Sequence, residues 1–339
     1  MLTLLVPIKG VAQSLGLPVH EADTFRGWNL PRPQNEAINL IIAVSFGLFI
    51  PPRILKAAEY GGLNVHPSLL PNFRGPAPLH HMIMAGEKTT GFTVQTLDHK
   101  SFDHGVILAQ TPPPGLPIPL ADKCTYDDLL QFVKPRASDM LIQTLRDRAF
   151  VPPLVETGGY KFEDLKHAPK ITPEDRHVRW DEWDAATIYR RHRALQRLWN
   201  RVWVDGKTEK RIIFEDLESV PVTENYFPPG ITDIADELKL SYRNQERDEQ
   251  LPLEYVVFST ADGEKKPLFY APDGDAIIVL SDSHQALRVK NITVEGQKMK
   301  PARRVMQAIG RSGAWQLALD PKGGNQVPSV QLVENVQQN

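Results

Sequence analysis

Ala37-Ile38-Asn39-Leu40-Ile41-Ile42-Ala43-Val44 is a nearly unbroken apolar run, rich in β-branched residues and closed by the Phe46-Gly47 turn. A run without in–out alternation is the pattern of a parallel strand covered on both faces. Pro51-Pro52 follows, then a predicted helix from Arg53 to Tyr60 with Gly61-Gly62 as its stop signal. Leu63-Asn64-Val65-His66 is a second strand, with polar residues toward its carboxyl end. Working outward, Ile8 to Leu15 reads as a helix ended by Gly16, and Leu17-Pro18-Val19-His20 as a short strand. Phe92 to Leu97 and Gly105 to Gln110 alternate as strands, while Tyr126 to Leu130 and Ala137 to Leu145 are helical. Strands alternating with helices predict an α/β fold with an open, mostly parallel sheet. Such sheets bind ligands at the carboxyl ends of their strands, which is where Asn64, His66 and the Phe46-Gly47 turn fall.

The chain is 339 residues long, a length suited to two domains. Hydrophobic content of 41% and charged content of 24% are those of an ordinary globular chain. A single cysteine, Cys124, excludes an intramolecular disulfide and points to a reducing compartment. No apolar run reaches the ~18 residues needed to cross a bilayer. Met1-Leu2-Thr3-Leu4-Leu5-Val6 is too short and too uncharged for a signal peptide and lacks the arginines of a transit peptide.

The second half is organised differently. Pro152-Pro153 through Pro173 is polar and broken by Gly158-Gly159, as a linker would be. Asp184 caps a predicted helix from Ala185 to about Arg201, with Ile188, His192, Leu195, Leu198 and Trp199 on one face. Arg190, Arg193, Arg197 and Arg201 share the opposite face. Short strands at Arg201–Val204, Arg211–Phe214, Tyr255–Phe258, Ala276–Leu280 and Ala286–Val289 suggest a small β-barrel. Between them, Glu215 to Glu254 holds 11 acidic and 3 basic residues and reads as a solvated insertion. The predicted organisation is therefore 1–158 catalytic, 159–181 linker, 182–320 barrel with the insertion 215–254, and 321–339 a loose tail.

The chemistry lies in Asn64-Val65-His66-Pro67-Ser68-Leu69-Leu70-Pro71, followed by Phe102-Asp103-His104-Gly105. Residues at i and i+2 of a strand point to one side, so the Asn64 amide and His66 imidazole can converge as two donors. Converging donors form an oxyanion hole. A carboxylate beside them, Asp103, would stabilise a protonated ring and can relay a proton. This trio suits attack of an amine on a formyl carbon and calls for no metal and no nucleophilic side chain.

The segment Asn64 to Gln110 resembles the folate-dependent formyltransferases, whose site is an Asn, a His and an Asp. The resemblance implies a Rossmann-like sheet followed by an OB-like barrel, with 10-formyltetrahydrofolate as the formyl donor. It makes Asn64, His66 and Asp103 the catalytic set. It assigns Ser68, Leu69, Leu70 and Pro71 to the folate loop, and Leu48, Phe49 and Ile50 to the backbone that reads the pterin. Asp98 and His99 compete with Asp103 for the acid role, but only Asp103 precedes the Gly-Val-Ile-Leu strand. Arg74-Gly75-Pro76-Ala77-Pro78 is similar to the signature of the methionyl-tRNA and amino-sugar branches. His167 to Asp175 with Trp180, and Gly296 to Ala302, resemble the entry and close of the carboxyl domain of the methionyl-tRNA branch.

That resemblance implies formylation of methionyl initiator tRNA by a monomer away from membranes, in the mitochondrial matrix or, alternatively, bacterial cytoplasm. Two basic stretches fit an RNA acceptor: the Arg190–Arg201 series, and Arg288 to Arg311 with 7 basic residues and one acid. Arg190, Arg193, Arg197, Arg201, Lys290, Lys298, Lys300, Arg303 and Arg304 are the expected tRNA contacts. The resemblance also implies a first strand and helix ahead of Pro7, and nothing here matches them. An incomplete sheet would make the chain a catalytically impaired RNA-binding remnant, and a sugar-amine formyltransferase is the other alternative.

Overall fold

The computed structural model describes residues 7–204, 208–221, 251–260, 263, 265–280, 285–318 and 329–333. Its helices are α1 (Pro7–Ser14), α2 (Pro52–Leu55), α3 (Pro78–Ala85), α4 (Tyr126–Arg146), α5 (Ala185–Leu195) and α6 (Ala302–Ile309). The first strands are β1 (Ile41–Ala43), β2 (Gly62–His66), β3 (Thr89–Thr90), β4 (Thr93–Thr96), β5 (Ile107–Gln110) and β6 (Leu116–Pro117). Then come β7 (Leu198–Val204), β8 (Thr208–Phe214), β9 (Leu217–Pro221), β10 (Leu251–Ser259), β11 (Lys265–Asp273) and β12 (Ala276–Leu280). The last are β13 (Gln285–Val289), β14 (Asn291–Val294), β15 (Lys300–Pro301), β16 (Arg311–Ala318) and β17 (Ser329–Val333).

The chain divides into two compact units. One comprises residues up to Pro76, Gly91–Leu116 and Val133–His167; the other comprises Ala77–Thr90, Pro117–Phe132 and residues from Ala168 onward.

The first unit is α/β, around a sheet in the order β1-β2-β4-β5. Only β1 and β2 run parallel; β4 is antiparallel to both β2 and β5. The expectation of a mostly parallel sheet is corrected accordingly. For β4 and β5 the physical reason is the connection: ten residues without a helix join them, and a parallel pair needs a longer crossover. The run at 37–44 forms a strand over three residues only, and it lies at the sheet edge, not buried on both faces. Ile42 and Val44 are exposed there, while Ala43 packs with Ile50, Ile54 and Leu55, backed by Phe25, Trp28 and Leu30. Arg53 fastens the 25–29 segment through the carbonyls of Phe25 and Trp28 and the Asn29 side chain. Leu17–His20 is not a strand, because Pro18 has no N–H to give and no neighbour pairs with it. The helix expected over 53–60 stops at Leu55 and gives way to turns. The two helices expected around Pro135 are one, α4, because Leu129, Val133 and Ala137 form a continuous buried stripe through it.

In the second unit the antiparallel pairing returns to its start. β8 and β9 form one bent strand interrupted at Glu215-Asp216, and β13 and β14 form another interrupted at Lys290. These long strands pair on both sides of their interruptions, β9 with β13 and β8 with β14. The ladder continues β8-β7-β10-β11-β12-β13, so the sheet curls into a barrel. Ile212, Phe214, Ile277, Ile278, Leu287 and Ile292 are fully buried in this unit, with Trp180 edge-on to Phe214 at 5.4 Å.

Asp184 caps α5 by accepting from the Thr187 N–H at 2.7 Å. The helix ends at Leu195, not near Arg201, because the apolar period changes from helical to alternating: Leu198, Asn200 and Val202 are buried on β7. The backbone turns at Gln196, with φ of 56°. Strands occupy both ends of the acidic segment, β9 and part of β10, and residues 222–250 lie outside the described residues. The predicted loose tail holds one strand, β17, paired with β16; its other residues lie outside the described set. No helix among the described residues is long and apolar enough to cross a membrane.

Leu63, fully buried in the central strand β2, is where the sheet core can be probed without touching a polar group. Leu63→Ala is expected to cost about 2–5 kcal/mol, read as a lower denaturation midpoint at unchanged m-value.

Candidate active site

β2 delivers Asn64 and His66 to one face, two residues apart. Antiparallel register sets Gln95 of β4 opposite Asn64, and Thr93 opposite His66. Directly opposed residues share a face, so the four polar side chains form a patch on the sheet. Thr93 belongs to the framework: its hydroxyl donates to the Ser68 carbonyl at 2.7 Å and accepts from the Leu70 N–H.

The turn between β4 and β5 brings Asp103 over this patch. Its Oδ1 lies 3.4 Å from Asn64 Nδ2, 3.4 Å from His66 Nδ1 and 3.1 Å from Gln95 Nε2. Its Oδ2 accepts from the Gly75 N–H at 3.0 Å, and its backbone carbonyl accepts from Arg74 Nε at 2.9 Å. His66 and Asp103 side chains are 6% and 8% exposed, so these contacts act in a low-dielectric setting. His66 Nε2 lies 3.0 Å from the Phe73 carbonyl, which can only accept; that nitrogen therefore carries a proton. The other ring nitrogen, Nδ1, faces the Asp103 carboxylate.

The turn owes its shape to two unusual backbones. Asp103 has φ of 58°, a left-handed conformation that Asp tolerates better than most side chains. Gly105 lies so near β4 that a Cβ there would meet the Thr96 carbonyl oxygen at 1.7 Å. Only glycine passes. Behind it, Val106 N–H donates to Thr96 Oγ1 and Gly105 N–H to Gln95 Oε1.

The predicted trio Asn64, His66 and Asp103 is thus brought together by the fold. Asp98 and His99, the competitors, stay in the exposed loop, where Asp98 caps the N–H groups of Lys100 and Ser101. Those N–H groups hold the Asp98 carboxyl below its ordinary range. Leu48 and Phe49 line a cavity of about 430 Å³ with Phe25, Arg26 and Arg53. Phe49 meets Phe102, next to Asp103, edge-on at 5.2 Å. Ile50 is buried in the core instead. Ser68 and Leu70 are buried as well: Ser68 donates to the Asn72 carbonyl and the Leu70 carbonyl accepts from Gln110, so both form framework beneath the site. Leu69 and Pro71 are partly exposed beside them.

The basic residues do not form the expected stripe. Arg190 donates to the Met84 carbonyl, and Arg193 is buried with its guanidinium on the carbonyls of Ala121 and Cys124. Arg197 pairs with Glu215 through two nitrogens and Arg201 with Glu209 at 3.1 Å. In the second stretch Lys290 pairs with Glu218 and Arg303 with Glu254, whereas Lys298, Lys300 and Arg304 are exposed. Burial pushes the Cys124 thiol above its ordinary range, aided by Asp128, as suits an inert core cysteine. Among the described residues no group of three or more His, Cys, Asp or Glu could hold a metal.

Sequence reasoning missed Gln95 and Gly75. Gln95 could have been singled out as a long polar side chain inside a buried strand, and Gly75 carries its signal only through its N–H.

Comparison with known proteins gives these features relatives. Residues 29–145 match the formyl transferase family and residues 170–245 its carboxyl-terminal domain, together more than half of the chain. A putative methionyl-tRNA formyltransferase of Schizosaccharomyces pombe is 34% identical over 189 residues, covering 50% of this chain and 53% of that protein. The mitochondrial methionyl-tRNA formyltransferase of Homo sapiens is 32% identical over 201 residues, covering 57% and 48%. The methionyl-tRNA formyltransferase of Bartonella quintana is 29% identical over 228 residues, covering 64% of this chain and 69% of that protein. The chain spans about half the length of the fission-yeast and human relatives. Among solved structures, HypX of Aquifex aeolicus in complex with tetrahydrofolic acid aligns with a TM-score of 0.46 at 18% identity, over 79% of this chain and 38% of that one.

The close approach at Gly105 is testable. Gly105→Ala should destabilise by more than the ~1–3 kcal/mol typical of overpacking, because the obstacle is backbone. Gly10→Ala in α1, where nothing lies within 4 Å of the added atom, should be neutral or mildly stabilising. Equal urea midpoints for the two variants would remove the steric account of the turn.

Proposed function

The chain belongs to the formyl transferase family, and from that premise we propose that it moves the formyl group of 10-formyltetrahydrofolate onto the α-amino group of methionyl initiator tRNA. The observation that carries the chemistry is the convergence of Asn64, His66 and Asp103 from segments 39 residues apart. The names of the fungal, human and bacterial relatives support the acceptor.

In the reaction, the acceptor amine attacks the formyl carbon and the carbonyl π pair moves onto its oxygen. Asn64 Nδ2 and His66 donate to that oxygen, where fixed donors need no reorganisation. The attacking nitrogen loses a proton to the Asp103 carboxylate. The pair on the oxygen then re-forms the carbonyl as the bond to the folate nitrogen breaks, and that nitrogen takes the proton that Asp103 received. The Leu48 and Phe49 cavity, bordered by Phe102, is proposed to receive the flat pterin, with Leu69 and Pro71 at its edge.

For tRNA we propose contacts by Lys298, Lys300 and Arg304, and by Arg197 and Arg201, which are more than half exposed. A surface ion pair is worth about 0–1 kcal/mol, so Glu215 and Glu209 can yield their arginines to phosphates. Arg193, buried, is withdrawn from that set. The mitochondrial matrix is the proposed location, since mitochondrial relatives of human and baker's yeast match at 32% and 35% identity. A tagged chain absent from purified mitochondria would move it elsewhere.

Asn64→Ala, His66→Ala and Asp103→Asn should each lower kcat by about 100-fold or more while leaving tRNA affinity unchanged. That affinity should fall linearly with rising salt on a logarithmic scale, less steeply for Lys298→Ala and Arg304→Ala. Equal losses of turnover and tRNA binding in the first three variants would remove the catalytic assignment. Formylation of a sugar amine in preference to charged tRNA would change the acceptor.

A further inference from the structure

The groups around the Asp103 carboxylate approach it at two distances. Asn64 Nδ2 and His66 Nδ1 stand at 3.4 Å from Oδ1, the loose end of hydrogen bonding. Gln95 Nε2 at 3.1 Å and the Gly75 N–H at 3.0 Å are ordinary hydrogen bonds. Gln95 is also engaged at its other end, where Oε1 accepts from the Gly105 N–H at 3.2 Å. One buried amide, 1% exposed, thus holds both ends of the Asp103-His104-Gly105 turn. It stands directly opposite Asn64 in the β2–β4 register, on the same face of the sheet.

A turn with a left-handed Asp does not keep its shape unaided; such backbones persist where their surroundings over-determine them. If Asn64 and His66 were the main fasteners of Asp103, turning them toward a substrate oxygen would release the carboxylate at the moment of proton transfer. We propose that Gln95 is a positioning residue that fixes Asp103 independently of Asn64 and His66, leaving those two free to donate to the formyl oxygen. The proposal rests on the formyl-transfer reading of the site. Gln95 itself touches no reacting atom. Its amide makes the firm contact to Oδ1, and Gly75 makes the one to Oδ2.

The experiment compares Gln95→Met and Gln95→Glu in the full chain, measuring transfer from 10-formyltetrahydrofolate across pH and the exchange of the Gly105 amide proton. Gln95→Met keeps length and burial but removes both hydrogen bonds. It should lower kcat about 10- to 100-fold with little change in KM for the donor, and Gly105 should exchange faster. Gln95→Glu keeps an acceptor for Gly105 but sets a second carboxylate against Asp103. Two carboxylates in contact cannot both ionise, so the new group can replace the lost donor only when it holds a proton. Gly105 should then stay protected, and activity relative to the unsubstituted chain should recover as pH falls. Turnover and pH profiles equal to those of the unsubstituted chain in both variants would overturn the positioning role. Uniform loss of activity in Gln95→Glu at every pH, with Gly105 protected, would overturn it too. Absence of formyl transfer by the unsubstituted chain is the separate result that overturns the reading of the site, and this role with it.

Discussion

A carboxylate removed from water needs donors, and the arrangement of the first unit is organised by how Asp103 finds them. At 8% exposure its side chain has exchanged hydration for N–H groups from a central strand, a neighbouring strand and a loop. An uncompensated charge in such a setting would be far too costly to keep. The β2–β4 register is therefore constrained by chemistry as well as by hydrophobic pattern. A slip of one residue between the two strands would set Gln95 on the face opposite Asn64 and His66. The same register brings Thr93 beneath the backbone at Ser68, so the site and its floor are fixed by one pairing.

Glycine 105 shows how strictly the turn is drawn. Its backbone passes against Thr96, and that approach lets β5 leave the turn in pairing distance while Asp103 hangs over the patch. Local strain at Asp103 is compensated by contacts on its carboxylate and its carbonyl at once. In the second unit the organising constraint is different: a barrel closes because two long strands bend without breaking their mutual pairing.

The sequence made legible what depends on period and adjacency. Asn64 and His66 two apart on a strand required only the alternation of side chains. The distance to Asp103 was readable because strand signals flanked both segments. Topology was less legible: the direction of β4 and β5 depends on a helix-free turn, and a three-residue β1 at an edge looks in sequence like a long buried strand. Helix α5 was given six residues too many because Leu198 and Trp199 fit a helical face as well as a strand. The charge pattern misled for a related reason. The acids that pair with the basic residues come from other strands, as Glu218 sits opposite Arg288 in register and Glu209 beside Arg201. A stripe counted along the chain is blind to partners across a sheet.

Gln95 escaped notice because a single buried amide has no motif. Its role exists only in the pairing of β2 with β4 and the return of the turn above them. Donors to one carboxylate are not equivalent, and the difference follows from what each must do next. A group that will donate to a reacting oxygen is best held loosely beforehand, since each bond it makes at rest has to be given up. A group that only keeps the carboxylate in place is best bonded at both ends. The distances around Asp103 divide along that line, with Asn64 and His66 on one side and Gln95 and Gly75 on the other.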